Sequence, residues 1–514
     1  MQKLITLYQK NKLYVAFSYI FSFFLICSYV FGHDGGFQTG LRVLIIAMTA
    51  LLLTPFFSIL FIYLSSIKIK PSRHHAKIIL LYENKLFYLI ALFIMQLPVF
   101  LAFYPGMCYY DLPAQIEQYE TPYFVQNHPL LHTVFMGFFK NLFSSPNTGY
   151  AIATIIQMLL VDAALAYALH YVYSKKPNLL LCTLALLFYG LMPVNSILII
   201  STTKDILFAA FLLVFFIDML RLFQNEMTKP FSFFRCILNT VLLLLFRNNA
   251  IYAFIPTFAI IILYCFRKRE LVKKVLVYTL VSLSLYMSLN QTLIHSLNAV
   301  SGSIKEMLSI PCQQMARIYQ ITDDDEIKNK IRSYIPEPEL YNYYLADPIK
   351  RQPDFDTFDS ACKHFLLDTA IYDLKYPVVA FDAAFYNTQG YWDLFHSPYQ
   401  SDHFFLASSA YRGEAVWDCK FPWLANIYLK YFHITAEYQH NPLAVLFLNS
   451  GIYIWIFLFA LVNAVHKKNR PLILSCLFFL FYLGTLILGP GAIIRYALPF
   501  IFLAPVFQIG SDSI

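Results

Sequence analysis

"RVLIIAMTALLLTPFFSILFIYLS", residues 42–65, carries one charge, Arg42, at its first position and is otherwise almost wholly apolar. About 20 residues of helix cross a hydrocarbon core. Lipid offers the backbone no hydrogen bonds, so a run of this length reads as a membrane-spanning helix. Working outward from it, comparable runs recur along the chain. Spans are expected at 13–31, 42–65, 86–103, 148–172, 179–200, 205–222, 233–247, 250–266, 274–294, 442–465, 471–489 and 492–509, the run at 233–247 being short. The chain is 59% hydrophobic and 13% charged, with 50 Phe and 38 Tyr among 514 residues. That composition excludes an ordinary soluble domain and predicts an all-α polytopic membrane protein of about 12 transmembrane helices. The first apolar run, from Leu13, lacks a small-residue cleavage site, so no cleavable signal is expected.

Charge tests this topology. Lys3, Lys10 and Lys12 precede the first span, which places the N-terminus inside. Alternation then sets "KIKPSRHHAK", "SKK", "FRKRELVKK" and "HKKNR" on the cytoplasmic side, with both termini. Those inner segments, with residues 221–235, hold about 21 of the 38 Lys and Arg. The short outer loops hold about five: Arg42, Lys140, Lys204, Arg247 and Arg495. Residues 295–440 form a large extracytoplasmic insertion with about 12 basic and 19 acidic residues. The net charge of +8 is thus a property of the inner face. It fits the topology and anionic lipid rather than nucleic acid. Nine cysteines are scattered without a CxxC pair; Cys108, Cys312, Cys362 and Cys419 fall outside, where a disulfide is an alternative to free thiols.

The outer ends of the spans carry unusual side chains. "YPGMCYYDLPAQIEQYETPYFVQNHPLLHTVF", residues 104–135, brings Asp111, Glu117, Glu120, His128 and His132. "STTKD" brings Lys204 and Asp205, "FRNNA" brings Arg247, Asn248 and Asn249, and "GPGAIIRYALP" puts Arg495 just inside the last span. Lone cations of this kind snorkel to headgroups, and an Asp at a helix start is often a cap. Asp111 before Leu112-Pro113 and His128 before Pro129 both fit the cap reading. Three cations converging on one face more economically make a site for phosphate or pyrophosphate. No metal motif stands out: His128 and His132 are four apart but lack HExxH. "TDDDE" and "PDFDTFD" read as helix caps and solvated surface, with a divalent cation left as the alternative. Asp162, mid-span in "QMLLVDAALAY", reads either as a functional acid or as a partner for a neighbouring helix.

These pieces, in this order, resemble the GT-C superfamily of integral-membrane glycosyltransferases, in particular a branch of large bacterial membrane proteins. The resemblance rests on "YPGMCYYDLPAQIEQ", "NHPLLHT", "LMPVNSILIISTTKD", "LLFRNNA", "EMLSIPCQQMAR", "GYWDLF" and "GPGAIIRYALP", over roughly residues 86–510. It implies two additional helices and a basic loop in 1–85, a GT-C-like core in 86–294 with its first outer loop at 104–147, the outer domain at 295–440 and a three-helix segment at 441–514. It further implies a sugar donor on a polyprenyl phosphate, a cell-envelope glycan or lipid acceptor, and transfer at the extracytoplasmic face by an inverting displacement. Asp111 would activate the acceptor; Lys204, Arg247 and Arg495 would hold the donor phosphate. Gln115, His128, Asp205 and Asn248 would make further sugar or phosphate contacts. The second loop acid usual in such enzymes is not evident, since neither Glu117 nor Glu120 has convincing spacing, which leaves metal dependence undecided.

Two other readings stand beside this one. A polysaccharide polymerase or ligase would transfer whole lipid-linked oligosaccharides. A transporter or flippase would use Asp162, but no clear repeat relates the two halves and the polar residues cluster at the outer face. The Tyr- and Trp-rich insertion ("YNYY", "AFYNTQGYWDLFHSPYQ", "VWDCKFPW") would either grip a glycan or pack its aromatics against the bundle.

Overall fold

The structure, a computed structural model, describes residues 9–33, 35–68, 70, 80–109, 111–227, 229–266, 269–395, 418–436 and 447–509. The basic stretch 71–79 and the aromatic stretch 396–417 lie outside them. Among the described residues the chain is helical, and its only ladder contacts are three isolated bridges. The first half comprises α1 (Lys12–His33), α2 (Gly40–Ser66), α3 (Lys85–Ala102), α4 (Asp111–Glu120), α5 (Leu130–Leu142), α6 (Pro146–Lys175), α7 (Leu179–Leu191), α8 (Pro193–Ile199), α9 (Lys204–Phe223), α10 (Pro230–Leu245), α11 (Ala250–Cys265) and α12 (Arg269–Ser296). Then follow α13 (Ser309–Ile321), α14 (Asp325–Tyr334), α15 (Asp347–Lys350), α16 (Ser360–Lys375), α17 (Pro377–Trp392), α18 (Pro422–Ala436), α19 (Ser450–His466), α20 (Arg470–Ile487) and α21 (Ile494–Leu503).

Over its described residues every expected span overlaps these helices, residues 442–446 of one lying outside the described set, but the helices are not equal. Seven are long and apolar enough to cross a membrane, eight if a bent pair counts as one span. Four more, α10, α11, α19 and the helix opened by α21, are apolar but shorter. Sixteen residues, the length of α10 and α11, give about 24 Å of helix against a core of about 30 Å. The run expected as one span at 179–200 is the bent pair: α7 and α8 meet at 53°. Pro193 has no N–H to continue the helix and forces Met192 out of the α region, to φ −63°, ψ 122°.

α9 is the hub. It packs against α6, α10, α20 and α21, and 78% of its most apolar window is buried, against 22% for α2. A helix apolar all round belongs inside a bundle, and Ile206, Leu207, Phe208, Leu212, Phe215 and Phe216 are all sealed from solvent. Its two ends carry charge. Lys204 and Asp205 open it, while Asp218, buried near the far end, pairs with Arg235 and accepts from Tyr167 at 2.8 Å. Asp162 is buried in α6, near Gln96 of α3.

Leu308, Cys312, Met315, Ile331, Cys362 and Phe365 close a separate small core. Beyond it, α17 lies on α1 and α19, with Phe385, Tyr386 and Trp392 against Phe24 and Phe31. α18 runs against α3, Tyr428 meeting Phe103. Within 295–440, α17 thus bridges the small core, through α13 and the Arg317–Asp382 pair, to α1 and α19 of the bundle, and α18 lies on α3. Tyr386, Tyr391 and Trp392 of α17 are packed, while Phe381 is exposed. Cys108, Cys312 and Cys362 are buried free thiols.

Candidate functional site

Three sets of backbone contacts gather the polar turns at one end of α9. Met107 N donates to Ile200 O at 2.9 Å, and Thr202 N donates to Met107 O at 2.8 Å. This short parallel bridge lays the loop after α3 along the "STTKD" turn. Gly106 makes it feasible, with φ +126° and a Cβ position only 2.7 Å from Thr154 Oγ1 and 3.0 Å from Ile200 O. A second bridge joins Val125 to Val300, and Asn248 Nδ2 donates to Gln126 O at 2.7 Å. The third set holds the "GPGA" turn: Ala346 N donates to Pro490 O at 2.7 Å, Asn387 Nδ2 to Gly489 O at 2.9 Å and Tyr391 Oη to Gly491 O at 3.1 Å.

The result is a cluster of three cations and two acids. Lys204 Nζ lies 2.7 Å from Asp111 Oδ2 and 3.0 Å from His128 Nδ1. Arg495 reaches the same Asp111 oxygen at 3.1 Å and Thr203 Oγ1 at 3.4 Å. Asp205, 1% exposed, pairs with Arg247, accepts from Thr203 Oγ1 at 3.2 Å and lies 3.6 Å from Arg495 Nε. Tyr rings complete it. The Arg495 guanidinium sits 4.3 Å from the Tyr109 centroid and 4.9 Å from that of Tyr496, and Arg247 stacks on Phe208, Tyr482 and Tyr496.

Burial works to raise the Asp111 carboxyl, but Lys204 and Arg495, with His128, hold it well below the ordinary carboxylate range. Burial and the Lys204 charge push His128 down to about 4, so the ring is neutral near pH 7. Its Nδ1 then accepts from Lys204 and its proton sits on Nε2. The two carboxylates offset two of the three cations, leaving a surplus of one positive charge. Lys204 spends two of its three N–H donors on Asp111 and His128. Arg247 Nε has no partner among the described residues. A cavity of about 440 Å³ opens here, with Lys204, Arg247 and Tyr496 on one wall and Asn127, Glu306 and Met307 on another.

Of the residues singled out in the sequence, Asp111, His128, Lys204, Asp205, Arg247 and Arg495 share this cluster, and Asn248 lines the cavity. Neither Asp111 nor His128 is a helix cap. α4 begins at Asp111 itself, α5 follows Pro129, and both side chains turn to Lys204. Asp205 faces two arginines and is closed off from the cavity's solvent. Gln115 is fully buried between α4 and α5, donating to Thr133 Oγ1 and contacting His132 Nδ1, each at 3.1 Å. Glu120 pairs with Lys140 across the same hairpin. Among the described residues no three His, Cys, Asp or Glu side chains form a metal-binding group.

Thr203, Tyr109, Tyr496 and Glu306 were not singled out. Tyr496 directly follows Arg495, an aromatic beside an interfacial cation, whereas Tyr109 lies two residues before Asp111 and carried no such signal. Glu306 had no signal beyond its place in "EMLSIPCQQMAR". The chain belongs to a family of unknown function, DUF6020, whose match covers residues 100–511 and so every residue of the cluster. No curated protein and no solved structure matches it.

Proposed function

We propose that the protein is a GT-C-type glycosyltransferase that moves a sugar from a polyprenyl-phosphate-linked donor to a glycan or lipid of the bacterial cell envelope. In this reading all twelve apolar segments cross the membrane, the shorter ones in a locally thinned bilayer. The basic connections face the cytoplasm, and the cluster at the start of α9 faces outward.

The observation that carries the reading is the cavity walled by Lys204 and Arg247, with Arg495 behind them, at the N-terminus of a buried helix of 20 residues. A helix N-terminus favours an anion, and the cluster already holds one surplus positive charge. One unit charge at 4 Å from a phosphate oxygen is worth about 4 kcal/mol at an effective dielectric of 20. The third N–H of Lys204 and the guanidinium of Arg247, both on the cavity wall, would meet that phosphate. As the bond from the sugar carbon to the phosphate oxygen breaks, negative charge grows on the leaving group. Cations fixed beforehand by Asp111 and Asp205 stabilise it without reorganising. Asp111, tied to two cations, is a weak base, and its service here is to hold Lys204 and Arg495 in place.

Purified protein in lipid nanodiscs, supplied with a polyprenyl-phosphate-linked sugar, is expected to release polyprenyl phosphate, detected by mass spectrometry. Arg247→Ala and Lys204→Ala are each expected to slow release by about 10²–10³-fold. Undiminished turnover in both variants would sink the phosphate assignment. Turnover confined to lipid-linked oligosaccharides would instead identify a polymerase or ligase.

A further inference from the structure

A second cavity of about 440 Å³ adjoins the first. The two share Asn127, Asn248, Asn249, Tyr252, Glu306 and Met307. Their remaining walls differ in chemistry. The first has the cations; the second has none, and is lined by Gln126, Ser303, Thr357, Asp356 and Phe358. Amide and hydroxyl groups beside exposed aromatic edges suit a neutral polyhydroxylated ligand, which needs many short hydrogen bonds and a flat apolar face. Tyr252 and Phe358 are 59% and 58% exposed. The wall is held rigidly: Ser303 N donates to Asn127 Oδ1 at 3.1 Å, and Ser303 Oγ to Asp356 Oδ1 at 2.7 Å.

Glu306 is the only acid on the wall common to both cavities among the described residues. Its side chain is 51% exposed, and only Oε2 is engaged, by Lys350 Nζ at 2.6 Å. Lys350 is itself 2% exposed and is also held by Asp347 at 3.0 Å. The carboxylate is thus anchored from behind while standing at the junction. Asp111 touches neither cavity wall and is committed to two cations.

Resting on the reading above, we infer that the second cavity is the carbohydrate acceptor site and that Glu306 takes the proton from the acceptor hydroxyl. The balance is simple. The acceptor oxygen forms its bond to the anomeric carbon as the carbon–oxygen bond to phosphate breaks. The hydroxyl proton passes to Glu306, and the bonding pair leaves on the lipid phosphate beside Lys204 and Arg247. Glu306 is then a catalytic residue, and Phe358 a binding residue for the acceptor alone, since it lines only the second cavity.

Two measurements on the full chain in nanodiscs test this. In the transfer assay, Glu306→Gln is expected to lower kcat by about 10²–10⁴-fold with donor KM held within about twofold, and Glu306→Asp to restore part of the rate. Phe358→Ala is expected to raise acceptor KM roughly three- to tenfold without changing donor KM. Wild-type kcat in Glu306→Gln overturns the proton role while leaving the donor reading intact. The second measurement needs no turnover: saturation-transfer NMR with chitotetraose and maltotetraose as probes. Saturation of either in wild type, weakened by Phe358→Ala and unaffected by Arg247→Ala, is expected. Its absence, or its persistence in Phe358→Ala, overturns the acceptor site. Saccharide binding without any transfer would instead remove the glycosyltransferase reading and with it the role of Glu306.

Discussion

Asp205→Asn separates a counter-ion from a ligand contact. The carboxylate is 1% exposed and is the common partner of Arg247, Arg495 and Thr203. Removing its charge strands two buried guanidiniums, 9% and 6% exposed, with one acid, Asp111, left among three cations. Breaking a buried pair in this way costs about 3–5 kcal/mol. Asparagine keeps one accepting oxygen, which favours the lower end. Unfolding entropy of about 2.1 cal/mol/K per residue gives about 1.1 kcal/mol/K for 514 residues, so the melting temperature is expected to fall by about 3 °C. The cluster's net charge meanwhile rises from one to two, so affinity for polyprenyl phosphate should hold or increase in protein that remains folded. Intrinsic-fluorescence melts in nanodiscs, with and without polyprenyl phosphate, read both quantities. The exposed Glu117→Gln is the control, expected within about 0.5 kcal/mol of wild type. A melting temperature unchanged in Asp205→Asn, or a loss of phosphate affinity without destabilisation, would refute the counter-ion role.

Two further expectations follow from the same geometry. Gly106→Ala places a Cβ against Thr154 Oγ1 and Ile200 O at φ +126°, a strain of about 1–3 kcal/mol, and should loosen the bridge that brings Asp111 to Lys204. Cys108, 1% exposed and two residues on, should then become reactive to a water-soluble maleimide in peptide mass mapping; continued protection would show the turn intact. Burial and the Lys204 charge depress His128 to about 4 and His132 to about 3, from 6.5 in the unfolded chain. Between those values the unfolded state binds more protons, so stability rises with pH, by up to about 1.4 kcal/mol per pH unit per histidine. The histidine contribution should be fully present above about 6.5 and fall as the pH drops toward 4; melts of His128→Gln over that window should show a shallower slope than wild type, and an equal slope would be inconsistent with the neutral ring.

The helical segments were legible because each is a long apolar run, and hydropathy is a local property. The break at Met192–Pro193 was legible in principle, since a proline inside an apolar run is a local signal too. Asp111, Lys204, Arg247 and Arg495 stood out because a charge at the outer end of a span is costly and rarely idle. What could not be read was which neighbour each one meets. That depends on pairings such as Met107 with Ser201, Val125 with Val300 and Ala346 with Pro490, which have no periodicity and link positions 94 to 175 residues apart. Lys204 lines the cavity, while Asp205, one residue on and so turned by about 100° around the helix, faces the arginines. Glu306 was hidden among the acids of a polar segment, and only the closure of the cavity sets it apart from them.

Asp111 and Arg495 touch across 384 residues of sequence. At a synthesis rate of about 5–20 residues per second, about 20–80 s separate the appearance of one from that of the other. Lys204, Asp205 and Arg247 are made within that interval, and from then until Arg495 appears Asp205 with Arg247 supplies a neutral pair that spares the growing bundle an isolated charge. The last-made partner completes the surplus positive charge only when its helix docks against α9. A ribosome that stops short of residue 495 leaves the bundle without one of the three cations, and the cluster then carries no surplus charge.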